Sequence, residues 1–473
     1  MFTKRNYNLF YISSYSFFDR LSSLVLVVLI ARYLGAETYG LYAFVFSLAN
    51  ILAIFADLGI NQLLTRELSA KPENQTRYFP IALGIKFAAT CLTLILALII
   101  SNFLPSLRSS ILIVFLLNLS HLLRILSTTF FSVVRAHLQM KYESFAGLLN
   151  RLIALVGGAT LIILGKDLVS ILWIFVIAAM VELLYITYIV YSRFMKFKIV
   201  LNFFEQKRLI FSALPFLVLI ALPIINYRFD SILLGLFSGQ KATGIYNAAY
   251  VLILNFIIIQ QIAGRLLLPL LAKVQEQQKT AFEEFYQDVI KLLVVIALFA
   301  VLLVEGFGKE IIITIYGSEY LESVLCLKIL IFAVIFMFAS HVLSTALIAL
   351  NQEKKVIKAW TVTVLMNIVL NMVLIPSYSY LGASIATVIS EITLFAVNYY
   401  SLFYAQQYTA FFSREWFRLA IPFSAGLIFI GITDGLSIWV GAPLLILIYG
   451  AFLFNSRVFS RDEISRIVRL IKI

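Results

Sequence analysis

Apolar runs of about 20 residues, separated by short polar segments, follow one another along almost the whole chain. A helix of that length spans about 30 Å of hydrocarbon, and it satisfies its own backbone hydrogen bonds where no water can do so. The pattern therefore predicts an all-α polytopic membrane protein with about 14 transmembrane helices. The predicted ranges are 7–32, 39–65, 79–104, 110–134, 143–165, 168–192, 209–237, 243–271, 287–308, 324–350, 356–376, 380–404, 416–432 and 435–456.

The composition and the distribution of charge agree with this pattern. Apolar residues occupy 62% of the 473 positions and charged residues 13%, whereas soluble domains hold about 45–50% and about 25%. With the N-terminus inside, the inner segments hold 24 lysines and arginines and the outer loops hold 5. Because basic residues stay on the cytoplasmic side, we expect both termini in the cytoplasm. The net charge of +13 then marks the face that meets anionic lipid, and it requires no nucleic acid.

Signatures of enzymatic chemistry are missing from the sequence. It contains no glycine-rich phosphate loop and no nucleophile elbow, and its longest polar loops are about 15 residues. The histidines His121, His137 and His341 have no carboxylate or thiol at ligand spacing. We therefore expect neither an enzyme nor a metal or cofactor site.

The chain also contains an internal repeat. YLGAETYGLY (33–42) aligns without a gap with FSGQKATGIY (237–246) at an offset of 204, which pairs Gly40 with Gly244. Two shorter matches, IKF with IKL and LQMK with NQEK, follow in the same order at offsets of 205 and 213. Six helices per half make such repeats parallel, related by an axis along the membrane normal. We predict two six-helix lobes in a parallel pseudo-two-fold repeat around a central cavity.

The predicted organisation is an N-terminal lobe (1–200), a C-terminal lobe (205–410), an additional helix pair (411–456) and a cytoplasmic tail (457–473). The tail sequence SRDEISRIVRLIKI begins with a capping box made by Ser460 and Glu463. Its isoleucines and valine share one helix face and its basic residues lie mostly elsewhere. We therefore expect a basic amphipathic helix on the inner leaflet.

Several segments carry a family resemblance. LGAETYGLYAFVFSLANILAIFADLGINQLLTRELS, from Leu34, resembles the first helical hairpin of bacterial polysaccharide flippases, and NYRFDSILLGLFSGQKATGIYNAAY, from Asn226, resembles the same region of their second half. IIITIYGSEYLES and ALNQEKK also match that family. The resemblance is to the oligosaccharidyl-lipid transporters of the multidrug/oligosaccharidyl-lipid/polysaccharide exporter superfamily, and it covers nearly the whole chain.

This resemblance implies a two-lobed, V-shaped fold in the bacterial inner membrane. It implies that the protein carries undecaprenyl-diphosphate-linked oligosaccharide repeat units from the cytoplasmic to the outer leaflet. The polymers concerned would be O-antigen, lipopolysaccharide or capsule, with membrane lipids, a polysaccharide polymerase and chain-length proteins as partners.

Ionisable residues inside the predicted spans are the candidates for a binding site, because they are costly in hydrocarbon. Arg20 and Arg124 lie near mid-membrane, Arg228 lies somewhat outward of it, and Arg151 lies toward the cytoplasm. The spans hold more basic than acidic residues, and a guanidinium group binds two phosphate oxygens at once. We expect these four arginines to bind the diphosphate that the resemblance implies.

Two aspartates accompany these arginines in the sequence. Asp19 precedes Arg20, and Asp230 follows Arg228 by two positions. Side chains at i+1 or i+2 do not face each other on a helix, so each charge needs a partner on another helix or faces water. We expect both aspartates in the substrate site, with self-neutralising structural pairs as the alternative.

Two glutamates and two prolines inside the spans each have two possible roles. Glu182 and Glu391 either neutralise an arginine in their own lobe or couple transport to an ion. Pro215 and Pro223 each remove a hydrogen bond from one helix, which makes either a hinge beside the charged site or a static kink.

A further set of charges lies near predicted helix ends. Lys86, Lys291, Arg265 and Lys328 are within two turns of an end, where snorkelling alone explains them. Asp57 is expected to hold its helix against neighbouring helices rather than to contact substrate.

Two other functions remain open. A multidrug cation antiporter of the same fold predicts more buried carboxylates than buried arginines. A non-transporting membrane scaffold predicts mid-membrane charges that pair off completely.

Overall fold

A computed structural model describes residues 4–200, 202–275, 279–406, 414–433, 435–460 and 463. In these ranges the regular structure is helical, with no strand. The α-helices are α1 (Lys4–Asp57), α2 (Ile60–Ala70), α3 (Gln75–Phe103), α4 (Pro105–Arg108), α5 (Ile111–Ala136), α6 (Lys141–Ile163), α7 (Leu168–Arg193), α8 (Phe203–Phe237), α9 (Gly239–Leu254), α10 (Ile257–Gln275), α11 (Lys279–Tyr316), α12 (Ser323–Ala349), α13 (Glu353–Gln406), α14 (Ala420–Ile432) and α15 (Ile438–Asn455). Eleven helical segments of the described ranges are long and apolar enough to cross a membrane. The all-α polytopic fold is thus confirmed, and the number of about 14 spans stays a prediction.

Two of these helices are long: α1 contains the predicted span 7–32 and most of 39–65, and α13 contains 356–376 and 380–404. Each is 54 residues long and is interrupted by one residue with non-helical backbone angles. In α1 this residue is Gly35, whose φ of 80° is readily adopted only by glycine. In α13 it is Ser379, with φ of 50°. Both interruptions lie where the apolar pattern predicts a loop.

Two predicted helices, 39–65 and 243–271, are wrong in their continuity. The first is broken at Leu58 and Gly59, which have φ of 52° and 71°. This turn packs directly on α8, since a methyl group added at Gly59 would lie 2.5 Å from the backbone nitrogen of Leu217. The second is broken at Asn255, whose side-chain amide donates to the Val251 carbonyl at 2.7 Å and so competes with the helix ladder.

The repeated LQMK and NQEK segments adopt the same turn. Leu138 follows α5 with φ of 54°, and Asn351 follows α12 with φ of 56°. In each case the next residue, Gln139 or Gln352, donates its backbone N–H to the carbonyl five positions earlier, at 3.0 and 2.8 Å. This is the hydrogen-bond pattern of an α-helix that ends with one residue in the left-handed conformation. The backbone therefore repeats where the sequence does.

The repeated glycines form a reciprocal contact. A methyl group added at Gly40 would lie 1.7 Å from the carbonyl oxygen of Gln240, and one at Gly244 would lie 2.0 Å from that of Ala36. Both pairs exchange the same two positions of the repeat, as an isologous contact across a two-fold axis does. No side chain larger than hydrogen fits at either glycine.

Contacts divide the chain into two compact units, Met1–Gly244 and Ile245–Ile473. The first unit contains α1 to α8, with α8 packed against α1: the Gly235 backbone lies directly on the ring of Phe44. In the second unit, α14 and α15 pack against α11. The Tyr449 hydroxyl of α15 donates to the Val295 carbonyl of α11 at 2.9 Å. The predicted symmetry-related lobes, 1–200 and 205–410, stay a prediction.

Two lysines expected to snorkel are buried instead. The Lys86 side chain has no exposed surface and is paired with Asp57, so the structural role expected for Asp57 is confirmed. The Lys291 side chain is 3% exposed, and its ammonium nitrogen lies 3.0 Å from Glu463. Lys328, half-buried, is paired with Glu305 at 3.2 Å. The snorkelling interpretation is wrong for Lys86 and Lys291 because each has a carboxylate within reach inside its unit.

Glu463 also makes the predicted capping box. The Ser460 N–H donates to its carboxylate at 2.6 Å, and the Glu463 N–H donates to the Ser460 hydroxyl at 3.2 Å. The remainder of the predicted tail helix and the side chain of Arg265 lie outside the described residues.

Candidate functional site

The first unit gathers four of the predicted site residues from four helices. Asp19 of α1 lies at the centre, paired with Arg151 of α6. Arg124 of α5 approaches the same carboxylate oxygen at 3.9 Å. The Tyr15 hydroxyl, one turn before Asp19, donates to it at 3.3 Å. Asp19 therefore joins α1 to α5 and α6 by charge.

Glu182 of α7 completes this charge cluster. Its carboxylate lies 3.4 Å from Nε of Arg124, at ion-pair distance but without hydrogen-bond geometry. Glu182 thus pairs with an arginine of the same unit. The Glu182 side chain is 2% exposed, whereas those of Asp19 and Arg124 are 25% and 33% exposed. The cluster thus has a buried end at Glu182 and an accessible end at Asp19.

Arg228 of α8 reaches the cluster through aromatic rings. Its guanidinium carbon lies 5.0 Å from the ring centroid of Phe46, within cation–π range. The Phe46 ring meets the His121 imidazole edge-on at 6.1 Å. His121 lies one turn before Arg124 on α5, and the charges of Arg124, Arg151 and Arg228 all act on it. All three arginines are therefore near enough to influence one imidazole.

This arrangement gathers several guanidinium groups. Arg124, Arg151 and Arg228 contribute three of them, and Asp19 and Glu182 contribute two carboxylates. Guanidinium groups gathered in this way can bind an anion through charge-assisted hydrogen bonds.

The remaining candidates of the first unit lie outside these ion pairs. Arg20 is half-buried on α1, and it points about 100° away from Asp19 around the helix. Asp230 has no exposed surface, and its place in a substrate site stays a prediction. Pro215 and Pro223 lie inside the continuous helix α8.

Glu391 lies in the second unit, on α13. It is 1% exposed, and neither of its carboxylate oxygens has a hydrogen-bond partner among the described residues. One turn before it, Thr387 bonds the Tyr246 hydroxyl at 3.0 Å. Two turns after it, the Asn398 amide donates to the Ser344 hydroxyl at 2.9 Å. Glu391 thus shares a polar face of α13, and the described residues contain no arginine paired with it.

Sequence reasoning missed the uncharged members of the site. Tyr15 lies four positions before Asp19, and His121 lies three positions before Arg124, spacings that place each pair on one helix face. Searching each charge for polar neighbours at these spacings would have found both. Phe46 has no such signal, because an aromatic residue in an apolar span looks like packing.

The comparisons with known proteins agree with this fold. Residues 7–275 match the model of a family described as polysaccharide biosynthesis protein. A protein of Haloferax volcanii described as a probable low-salt glycan biosynthesis flippase, Agl15, is 22% identical over 94% of this chain and 95% of its own length. The capsular polysaccharide biosynthesis protein CapF of Staphylococcus aureus is 26% identical over 42% of this chain and 50% of its own length.

Solved structures show the same architecture. The lipid II flippase MurJ in an inward closed conformation superposes with a TM-score of 0.75 at 17% identity, covering 96% of this chain and 99% of that one. An inward-facing multidrug resistance MATE family transporter of the MOP superfamily gives 0.62 at 15% identity, covering 83% and 96%. The fold is therefore that of these transporters. Since the family match spans more than half of the sequence, the chain belongs to the polysaccharide biosynthesis protein family.

Proposed function

We propose that the protein carries polyprenyl-diphosphate-linked oligosaccharides from the cytoplasmic to the outer leaflet of the membrane. The observation that carries the proposal is the gathering of three guanidinium groups, those of Arg124, Arg151 and Arg228, in one site. Family membership and the flippases among its relatives support it. A diphosphate offers several oxygens to such a group of guanidiniums, and undecaprenyl is the lipid that the resemblance implies.

The roles of the arginines follow from their surroundings. Arg228 is held against the Phe46 ring, which orders the plane of its guanidinium, and in this proposal its N–H groups bind phosphate oxygens. Arg124 and Arg151 share Asp19, so a phosphate would compete with one carboxylate for two arginines. Arg20 adds a fourth cation on the same stretch of α1. In this proposal the sugar enters the site and the lipid tail stays in the bilayer.

The two alternative functions fit the charges less well. A multidrug cation antiporter requires a site built on carboxylates, whereas the arrangement in the first unit is built around three arginines. A scaffold requires no accessible charge, whereas the side chains of Asp19 and Arg124 are 25% and 33% exposed. Diphosphate binding is therefore the function that the geometry favours.

For ion coupling, Glu391 is a stronger candidate than Glu182. Glu182 is paired with Arg124, whereas Glu391 is buried with two unbonded carboxylate oxygens in the described structure. Pro215 and Pro223 are the proposed hinge positions for alternating access. Transport by Glu391→Gln, measured with and without a proton or sodium gradient, tests the coupling role: an unchanged gradient dependence would exclude it.

The substrate site is tested by the amount of surface polysaccharide in a strain that lacks its own flippase. Arg228→Ala should lower transport about ten- to hundredfold, because a charge-assisted hydrogen bond contributes about 1.5–3 kcal/mol. Arg228→Lys should lose much of the activity although it keeps the charge, because lysine cannot bind two phosphate oxygens in a fork.

Arg66→Ala is the matched control. Arg66 also stacks on an aromatic ring of α8, 5.1 Å from the centroid of Phe216, but its side chain is 61% exposed and outside the cluster. All variants must reach the membrane in normal amount, as shown by immunoblotting. Wild-type polymer from both Arg20→Ala and Arg228→Ala at normal abundance would contradict the proposed site.

A further inference from the structure

The first unit contains a cavity that the charge cluster does not use. It has a volume of 660 Å³ and lies between the beginning of α1 and the helices α6 and α7. Six of its lining residues are aromatic, and the volume is in the range of small-molecule sites, about 300–1,000 Å³.

One end of this cavity is basic. Lys141 is the first residue of α6 and Arg193 is the last residue of α7, and both line the cavity. Their charges flank the ring of Tyr142, at 5.0 Å for the ammonium and 5.4 Å for the guanidinium carbon. Arg193 also donates to the Tyr142 hydroxyl at 2.6 Å. Both cations are thereby positioned around one tyrosine at the mouth.

The other end is apolar. Phe18, Leu148 and Tyr185 line it, and Leu148 lies two helical turns, about 10 Å, from Lys141 along α6. Tyr11 and Phe145, 42% and 48% exposed, leave the side of the cavity open. The cavity therefore has the polarity of an amphiphile, with a cationic end and an aromatic trough.

A buried hydroxyl inside the cavity lacks a partner. Ser144 is 7% exposed and lines the cavity, and its hydroxyl has no hydrogen-bond partner in the described part of the structure. An orphaned buried hydroxyl is unfavourable, and a ligand oxygen at this depth would accept its hydrogen bond. Lys141 adds a second cost, because a cation at a helix N-terminus opposes the helix dipole. A bound anion relieves both.

We propose that this cavity binds an anionic glycerophospholipid, separately from the transported substrate. The phosphate lies between Lys141 and Arg193, an ester oxygen accepts from Ser144, and one acyl chain lies in the aromatic trough. Basic residues gather at this end of the helices, as they do on the inner face of a membrane, where anionic lipids are abundant. The open side of the cavity suits a lipid that enters from the bilayer.

The site also touches the charge cluster. Tyr15 lines the cavity, its ring lies on the Gly147 backbone, and its hydroxyl donates to Asp19 at 3.3 Å. A lipid that holds the Tyr15 ring would therefore order the carboxylate that Arg124 and Arg151 share.

The proposal is tested by native mass spectrometry of the purified full-length protein in detergent. The probes are phosphatidylglycerol, phosphatidylcholine and a polyprenyl monophosphate, each titrated separately. We expect one tightly retained phosphatidylglycerol, and roughly thirtyfold weaker retention in the double variant Lys141→Gln, Arg193→Gln, because each basic residue contributes about 1 kcal/mol to the binding of anionic lipid. Lys196→Gln with Lys198→Gln is the control, since it removes two exposed charges just beyond α7 that do not line the cavity.

A second variant, Ser144→Leu, fills the cavity without changing charge and should also weaken retention. Gel filtration and thermal melting establish that each variant is folded. Retention that falls equally in the Lys196, Lys198 control would mean nonspecific surface attraction and would overturn the proposal. Equal retention of phosphatidylcholine, or selective retention of the polyprenyl phosphate alone, would overturn the assigned occupant.

Discussion

Two lysines at equivalent positions of the internal repeat are neutralised in different ways. Lys86 of α3 and Lys291 of α11 are related by the offset of 205 residues that aligns IKF with IKL. Both are buried and both are paired with a carboxylate. Lys86 uses Asp57, 29 positions earlier in the chain, and Lys291 uses Glu463, 172 positions later.

The difference follows from a missing acid in the second half. At offsets of 204 and 205, Asp57 corresponds to Gln261 and Ile262, neither of which carries a charge. The structure supplies the carboxylate from outside the repeat, where the segment after α15 returns to α11. The same buried lysine can thus be paired in both halves although its carboxylate partner comes from a different part of the chain in each.

The surroundings of the two pairs also differ. In the first unit, Asn61 donates to Asp57 at 2.5 Å and to Thr128 at 2.7 Å, which ties the pair into a network of four helices, α1, α2, α3 and α5. In the second unit, Lys291 lies 5.3 Å from the ring centroid of Phe459, and Glu463 is also committed to its capping box. The first pair is therefore fixed by the body of its unit, and the second by a short segment.

The largest expected effect is in the first unit. Asp57→Asn should lower the free energy of unfolding by about 3–5 kcal/mol, because it leaves the unexposed Lys86 charge uncompensated. The measurement is the melting curve of detergent-purified protein. The double variant Asp57→Leu, Lys86→Met should recover most of the loss, since apolar residues often replace a buried ion pair without cost. If Asp57→Asn is as stable as the wild type, the Lys86 charge does not depend on Asp57 for compensation.

A smaller effect is expected in the second unit. Glu463→Gln should destabilise by about 1–2 kcal/mol, because the Phe459 ring still faces the lysine and a segment that detaches lets water reach the charge. Limited proteolysis at Arg457 should become faster at the same time. Ser460→Ala is the control, since it breaks only the capping box at a cost of about 1 kcal/mol. If the Glu463 and Asp57 variants lose equal stability, the second pair is as rigid as the first.

The smallest effect is expected for an exposed pair. Arg77 of α3 lies 2.7 Å from Glu205 of α8, with side chains 55% and 31% exposed. Arg77→Gln should change stability by about 0–1 kcal/mol, and the change should vanish in high salt. A loss comparable with that of Asp57→Asn would show that ion pairing itself, and not burial, sets the difference between the two lysines.

Features that depend on interactions between residues close in the sequence could be predicted, and those that depend on distant residues could not. Apolar runs and the turn glycine Gly35 act locally, so the spans and the interruption of α1 could be read from the pattern. The capping box of Ser460 and Glu463 is also local, and it is confirmed. Its second role was not predictable, because pairing Glu463 with Lys291 depends on how the chain folds back over 172 residues.

The candidate site shows the same limit. Asp19, Arg124, Arg151 and Glu182 were identified because charges in an apolar span are conspicuous. The sequence could not show that Asp19 pairs with both Arg124 and Arg151, since these partners come from helices more than 100 positions later in the chain. The cavity below Lys141 was missed because its tyrosines look like ordinary packing residues.

The separation of Lys291 and Glu463 along the sequence has a consequence for biosynthesis. At about 5–20 residues per second, the partner of Lys86 is already present when that lysine leaves the ribosome, because Asp57 precedes it. Lys291 is translated 172 residues before Glu463, which corresponds to roughly 10–30 s without its counter-ion. During that interval α11 lacks the Glu463 carboxylate, so this ion pair can form only after α14 and α15 have been translated, whereas the pair of the first unit can form as it emerges.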